Sequence, residues 1–334
     1  MTSKQLTLSC VVITVAALLL TACNPSHAEP PVPASVSTPG SSCAELKETA
    51  REALASVPAP PALAKFDTDD RKAFAGSAFG YLCELSEEVG PRESATQEES
   101  RAAEFLMDRF TEFGYSPEMQ NFGLWAKGSA RESGNIVLEL PGHGESMVVL
   151  GAHYDTTPNS VGANDNASGI GVLLALAESL ARPPWSTQGV SVFPFTVRFI
   201  AFGSEEIGRQ GSWHYVDQLS DEELDAIRVM INLDSVGSGT YLQGVGDRWL
   251  TRHVLEAADR EGVPFTISSY DSRSDQVSFG QAWLSTIVFF GNDISRINSP
   301  DDTIEFINPA LLGDTAVLVL DLLASLEDLQ CGCR

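Results

Sequence analysis

The chain has 334 residues, of which 43% are hydrophobic and 20% charged, a globular balance with enough length to bury a substantial core. Its 45 acidic residues outnumber 21 Lys and Arg for a net charge of -24. No cationic surface is available to neutralise a phosphate backbone, which sets nucleic-acid partners aside.

In chain order, Lys4 precedes an apolar run from Val11 to Leu20 that is too short to read first as a membrane span, and Leu20-Thr21-Ala22-Cys23 follows. One positive charge, a short apolar stretch and small residues are the layout of an export signal. The Leu-Thr-Ala-Cys ending resembles the bacterial lipobox, which implies a lipoprotein signal peptide over 1–22 and lipidation of Cys23. An ordinary signal peptide with an incidental cysteine is the alternative. Acyl chains add about 0.8 kcal/mol of membrane affinity per buried methylene, so the expectation is an exported protein held to the cell envelope by a lipid anchor. Asn24 rather than Asp after the cysteine points, by the same resemblance, to the outer membrane in a Gram-negative cell. Residues 23–42, rich in Pro, Ser and Ala, read as a disordered tether, and 43–334 as a single domain. Cys43, Cys83, Cys331 and Cys333 remain, so one or two disulfides are expected, with the pairing open. Without a second Cys/His cluster, the terminal Cys-x-Cys reads as a disulfide rather than a metal site.

Helical patterns cover 44–56 and 68–88, and Thr96-Gln97-Glu98-Glu99 reads as a capping box opening a helix that Gly114 stops. Strands follow at 135–140 and 146–152 around a Pro141-Gly142 turn, and a helix at 167–181 sets Ile170, Leu173, Leu174, Ala177 and Leu180 on one face. The stretch 182–194 reads as a surface loop. Strands at 195–202, 228–233 and 285–290, a helix at 248–261, and a last helix capped by Asn308 with Pro309 in its first turn complete the pattern. Such alternation predicts an α/β fold, with chemistry at the carboxyl ends of the strands.

Those strand ends carry His153 and Asp155, then Asp165 before a helix, Glu205 and Glu206, and Asp234. The two oxygens of Asp165 can bridge two cations, His153 and Asp234 suiting one side and Glu206 the other, a nitrogen and oxygen set that zinc accepts. Glu205, next to a ligand but pointing elsewhere, is then free to act as a base. Singly, each residue is more ordinary as a cap or turn former. Turn chemistry does not account for their order.

GAHYD, GANDNASG, GSEEIGRQGS, NLDSVG and NSPDDT resemble the landmarks of the aminopeptidase S and aminopeptidase Y type zinc exopeptidases, a family that includes glutamate carboxypeptidase II and the glutaminyl cyclases. VGPRESATQEES resembles the opening helix of that family, so the likeness runs from about 89 to 325. It implies a central, mostly parallel mixed sheet sandwiched by helices, of phosphorylase/hydrolase-like form, two zinc ions, and peptide substrates trimmed from a terminus. By position, His153 and Asp234 would hold one zinc, Asp165 would bridge, Glu206 would hold the second, and Glu205 would be general base and acid. Asp155 would orient His153, and the Asp165-Asn166 peptide would be cis.

Two positions depart from the family. Its last landmark usually supplies a histidine to the second zinc, and this chain has Ile297 and Asn298 there, an amide oxygen being a weaker donor than imidazole. The usual Ser-Asp-His is Ser274-Asp275-Gln276. Among the other histidines, His27 falls in the tether, while His143, His214 and His253 read as solvated or packed side chains. Trp125, Trp213 and Trp283 read as core or pocket wall. The sequence thus favours an aminopeptidase, with a catalytically impaired metal- or peptide-binding lipoprotein and a glutaminyl cyclase as alternatives. It leaves the preferred terminal residue and the oligomeric state open.

Overall fold

A computed structural model describes residues 65–269 and 274–326. The expected helix at 44–56, the lipobox and the tether lie outside the described residues, as do all cysteines except Cys83, which is disulfide-bonded.

An eight-stranded sheet has the order β1-β2-β6-β3-β7-β10-β8-β9. The strands are β1 (Glu118–Ala126), β2 (Ser129–Leu140), β3 (Met147–His153), β6 (Thr196–Phe202), β7 (Ile227–Leu233), β8 (Leu242–Gly246), β9 (Phe265–Ile267) and β10 (Thr286–Gly291). A two-residue hairpin of β4 (Ser186–Thr187) and β5 (Val190–Ser191) stands apart. The four central strands β6, β3, β7 and β10 are parallel, and antiparallel pairs lie outside them. β3 is buried along its whole length, as a strand covered on both faces must be.

Helices cover both faces. On one side lie α1 (Thr68–Cys83), α2 (Gln97–Glu112), α3 (Gly169–Leu180), α6 (Arg248–Glu261) and α8 (Pro309–Leu326), around the larger core. On the other lie α4 (Gln210–Asp217), α5 (Asp221–Ala226) and α7 (Gln276–Gln281), over a smaller cluster with Phe202, Tyr215, Met230 and Phe279. All of α3 is buried, consistent with its lack of a polar face. α8 is long and apolar enough to cross a membrane, but most of it is buried in the domain, against α1 and α6.

Several expectations shift. The β1–β2 hairpin begins well before 135, because its outer strand is half exposed and carries little apolar alternation. The short β8 and the edge strand β9 carry no clear pattern in the sequence either. The stretch 182–194 is no plain surface loop: Trp185 and Phe193 are buried, and Trp185 packs on Phe66 and Phe193. Two of the tryptophans leave the core altogether, Trp125 being 75% and Trp283 95% exposed.

The hairpin extends beyond its neighbour in the sheet. β2 pairs with β6 only from Ile136 onward, so residues 129–135 and the paired β1 run past the carboxyl end of β6. Lys127 at its turn ion-pairs with Glu93.

Candidate metal centre

The carboxyl ends of the central strands converge as the sequence pattern predicts. His153 closes β3, Glu205 and Glu206 follow β6, and Asp234 follows β7. Asp165 sits in a kinked turn over Ala163–Ser168 that leads into α3. The Asp165-Asn166 peptide is cis, as the resemblance implies. The Asn166 side chain braces this turn, donating to Leu233 O at 2.8 Å and accepting from Ser235 N at 3.1 Å. Ser204, Ser235 and Asn298 have φ of 55°, 57° and 60°. Left-handed backbone at three non-glycine positions beside the acidic groups is the kind of outlier that clusters at functional sites.

His153 Nε2 lies 3.1 Å from Asp165 Oδ1 and 3.7 Å from Asp234 Oδ1. One ligand atom from each of the three lies within 4.8 Å of the others. Tetrahedral zinc with bonds near 2.1 Å separates its ligand atoms by about 3.4 Å, so the spacing fits an ion, and one imidazole with two carboxylates suits zinc. The His153 Nδ1 lies 3.5 Å from Asp155 Oδ1 and has no hydrogen-bond partner. The Asp155 carboxylate accepts from Glu205 N at 2.9 Å, Glu206 N at 3.1 Å and Ser94 Oγ. One buried acid thereby faces the imidazole and ties down the Glu-Glu turn.

A second support comes from the expected capping box, which is only half formed. Thr96 caps the helix by accepting from Glu99 N, but the Glu99 carboxylate turns inward, taking Ala95 N at 2.8 Å and Ser204 N at 2.7 Å. Burial pushes this carboxyl up to about 8, and the nearby Asp155 adds to the rise. Asp302, inside the NSPDDT stretch, accepts from Asn164 N at 2.8 Å and Asp165 N at 2.9 Å. Arg92 is fully buried and donates to the carbonyls of Tyr154, Leu85, Gly90, Val161 and Gly162. The sequence assigns Glu99 to a capping box alone and gives Ser94, Arg92 and Asp302 no role of their own. Their types are ordinary for a cap, a turn and a surface charge, and only the fold turns them inward.

Electrostatically the site is a buried acid cluster. Burial pushes Glu205 well above the carboxylate range, Glu206 to about 9 and Asp165 to about 6. Asp275 rises to about 7, again mainly by burial, and neither of its oxygens has a hydrogen-bond partner. Against the cost of burial, His153 holds Asp234 low, and the nearby carboxylates of Asp155, Asp165 and Asp234 carry His153 well above its usual value. Such a cluster attracts a cation.

Above it opens a cleft of about 140 Å³, lined by Asp165, Glu205, Glu206, Asp234 and Asn298, with Phe290, Ile294 and Ile297 as its apolar wall. A larger cavity of about 590 Å³ beside Tyr115 and Leu138 contains none of these residues. Gln276 accepts from Asn232 at 3.1 Å and does not line the cleft. His214 stacks on Phe122, His253 meets Trp249 O at 2.8 Å and His143 is exposed, so none of them replaces the missing ligand.

A mixed sheet whose parallel strand ends deliver an imidazole and a ring of carboxylates to one cleft defines an α/β domain with a candidate metal centre. Residues 135–323 match the profile of peptidase family M28, and the chain belongs to that family. Aminopeptidase YwaD of Bacillus subtilis is 35% identical over 189 residues, 52% of this chain and 39% of its own length. A probable lipoprotein aminopeptidase, LpqL of Mycobacterium tuberculosis, is 32% identical over 144 residues, 42% of this chain and 27% of its own. The chain thus spans well under half the length of these curated relatives. The fold is also that of a zinc aminopeptidase from Bacillus subtilis, at a TM-score of 0.67 and 20% identity over 75% of this chain and 94% of the other. A glutaminyl cyclase from Bacteroides thetaiotaomicron shares it at 0.64 and 21% identity, over 78% and 99%.

Proposed function

We propose that the protein is a metal-dependent aminopeptidase with Glu205 as general base and acid. The observation that carries the reading is the division of labour at the β6 end. Glu205 lines the cleft beside Asp165 and Asp234 without belonging to the His153–Asp165–Asp234 ligand group, and Asp155 fixes its backbone. His153, Asp165 and Asp234 would hold zinc, which when bound supplies Lewis acidity toward a scissile carbonyl and a water molecule. Glu205 would take a proton from the attacking water and pass it to the leaving amine. The carboxylates attract the substrate's terminal ammonium, and Phe290, Ile294 and Ile297 offer an apolar wall to its side chain. Leucyl amides are therefore favoured over aspartyl amides.

The test is hydrolysis of aminoacyl chromogenic amides by the zinc-supplemented protein beside Glu205→Gln. Release that falls by 10²–10⁴-fold in the variant, with the metal retained, supports the reading. A folded, zinc-loaded protein that cleaves none of them would sink it and favour a metal- or peptide-binding role. A cyclase is disfavoured, because by family resemblance its zinc uses the late histidine that Asn298 replaces.

We also propose export and anchoring through acylated Cys23 on a 23–42 tether, a reading supported by the Leu-Thr-Ala-Cys sequence and by the lipoprotein name of the Mycobacterium relative. Cys23→Ala should move the protein from the membrane to the soluble fraction. Retention at the membrane would refute the anchor.

A further inference from the structure

The family resemblance implies two ions, and the first position fits one. The second position is built differently. Asn298 sits against Glu206, and in the orientation that satisfies the amide its nitrogen donates to Oε1 and Oε2, each at 3.0 Å. The opposite orientation would set the amide oxygen against two carboxylate oxygens, all of them acceptors. The amide is also held in place: its residue takes a left-handed φ of 60°, which asparagine tolerates. Its loop is tied to the Asp165 loop through Asp302, which accepts from Asn164 N and Asp165 N.

The donor chemistry agrees. An ion at that position would find a shared Asp165, Glu206 and a neutral amide oxygen, with no nitrogen ligand. Among the described residues, the one cluster of three His, Cys, Asp or Glu side chains close enough to hold a metal is His153, Asp165 and Asp234, and Glu206 is not part of it.

We propose that this chain carries a single metal ion, on His153, Asp165 and Asp234, and that the Asn298 amide takes the place of the second ion by hydrogen-bonding Glu206. The proposal rests on the metallopeptidase reading and deepens it. Glu206 then serves as an acceptor that anchors the 297–298 turn over the cleft, rather than as a ligand.

The test counts metal and does not depend on turnover. The full chain is equilibrated with zinc, dialysed and assayed for bound metal, and in parallel titrated with cobalt(II), whose visible absorption reports occupied sites. One zinc per chain and saturation at one cobalt are expected. Asn298→His should raise both to two, and adding Glu206→Gln to that variant should return them to one. Glu206→Gln alone should leave the count at one, and this arm decides if the histidine variant fails to fold. Two tightly held ions in the unaltered chain would overturn the proposal. So would a folded Asn298→His protein that stays at one, or loss of the ion from Glu206→Gln. A chain that binds no metal would instead sink the metallopeptidase reading and the proposal with it, an outcome distinct from a count of two.

Discussion

Asp155 shows how much one side chain can organise. Its two oxygens face the imidazole of His153, two consecutive backbone N–H groups and a serine hydroxyl. Asp155→Asn would turn one acceptor into a donor aimed at donors. It should lower stability by at least about 1.5–3 kcal/mol, the worth of one charge-assisted hydrogen bond, and weaken zinc binding about 10–100-fold. Thermal melting and chelator competition measure the two effects, and an unchanged zinc affinity would show that Asp155 does not set the ligand geometry. The residues that could be read in advance were those whose type is costly to leave at a strand end without a purpose: His153, Asp165, Glu205, Glu206 and Asp234. Glu99 was misassigned because a glutamate three residues after a threonine signals a helix start, and nothing local says that its carboxylate will cross to Ser204 instead.

At the scale of elements, the close approach of α1 and α3 depends on a missing side chain. A Cβ on Gly171 would stand 2.4 Å from the carbonyl oxygen of Ala78, and a backbone atom cannot step aside. Alanine ordinarily gains up to about 1 kcal/mol over glycine inside a helix. Here overpacking of about 1–3 kcal/mol should reverse the sign, so Gly171→Ala is expected to melt several degrees lower. A variant melting higher than the parent would contradict the packing. The buried elements were also the legible ones. β3, β6, β7, β10, α3, α6 and α8 carry long apolar runs or clear periodicity, and their bounds fall within a few residues of expectation. The β1–β2 hairpin and the β8–β9 pair form the two outer margins of the sheet, where half-exposed strands need no strong pattern. Trp125 and Trp283 were misread for the converse reason, since residue type alone says nothing of a tryptophan left at the surface.

For the whole molecule, the acid cluster sets a pH dependence with a definite sign. Glu99, Glu206, Asp165 and Asp275 all titrate above the ordinary carboxylate value in the fold. The native state therefore binds more protons than the unfolded chain between about pH 4.5 and 9, and stability falls as pH rises across that window. His153, whose value is also raised, contributes in the same direction: its stabilisation is present below its unfolded pKa and is lost as pH rises through the folded one. The metal-free protein should therefore melt progressively lower from pH 5 to pH 9. Zinc should restore it most at the alkaline end, where its ligands are already deprotonated. Melting curves with chelator and with zinc across that range test both statements, and a metal-free protein that gains stability with pH would refute them. Arg92 bears on the same balance. Burial lowers it only to about 10, and Asp155, Asp302, Asp165 and Glu206 support its charge. Every hydrogen bond its guanidinium donates goes to a backbone carbonyl. It is a resident cation that neither titrates away at physiological pH nor leaves with a chelator. The acidic pocket thus has a built-in counter-ion before any zinc arrives. The metal-free protein is therefore expected to hold its native secondary structure, unlike a zinc finger, whose folding waits for its metal.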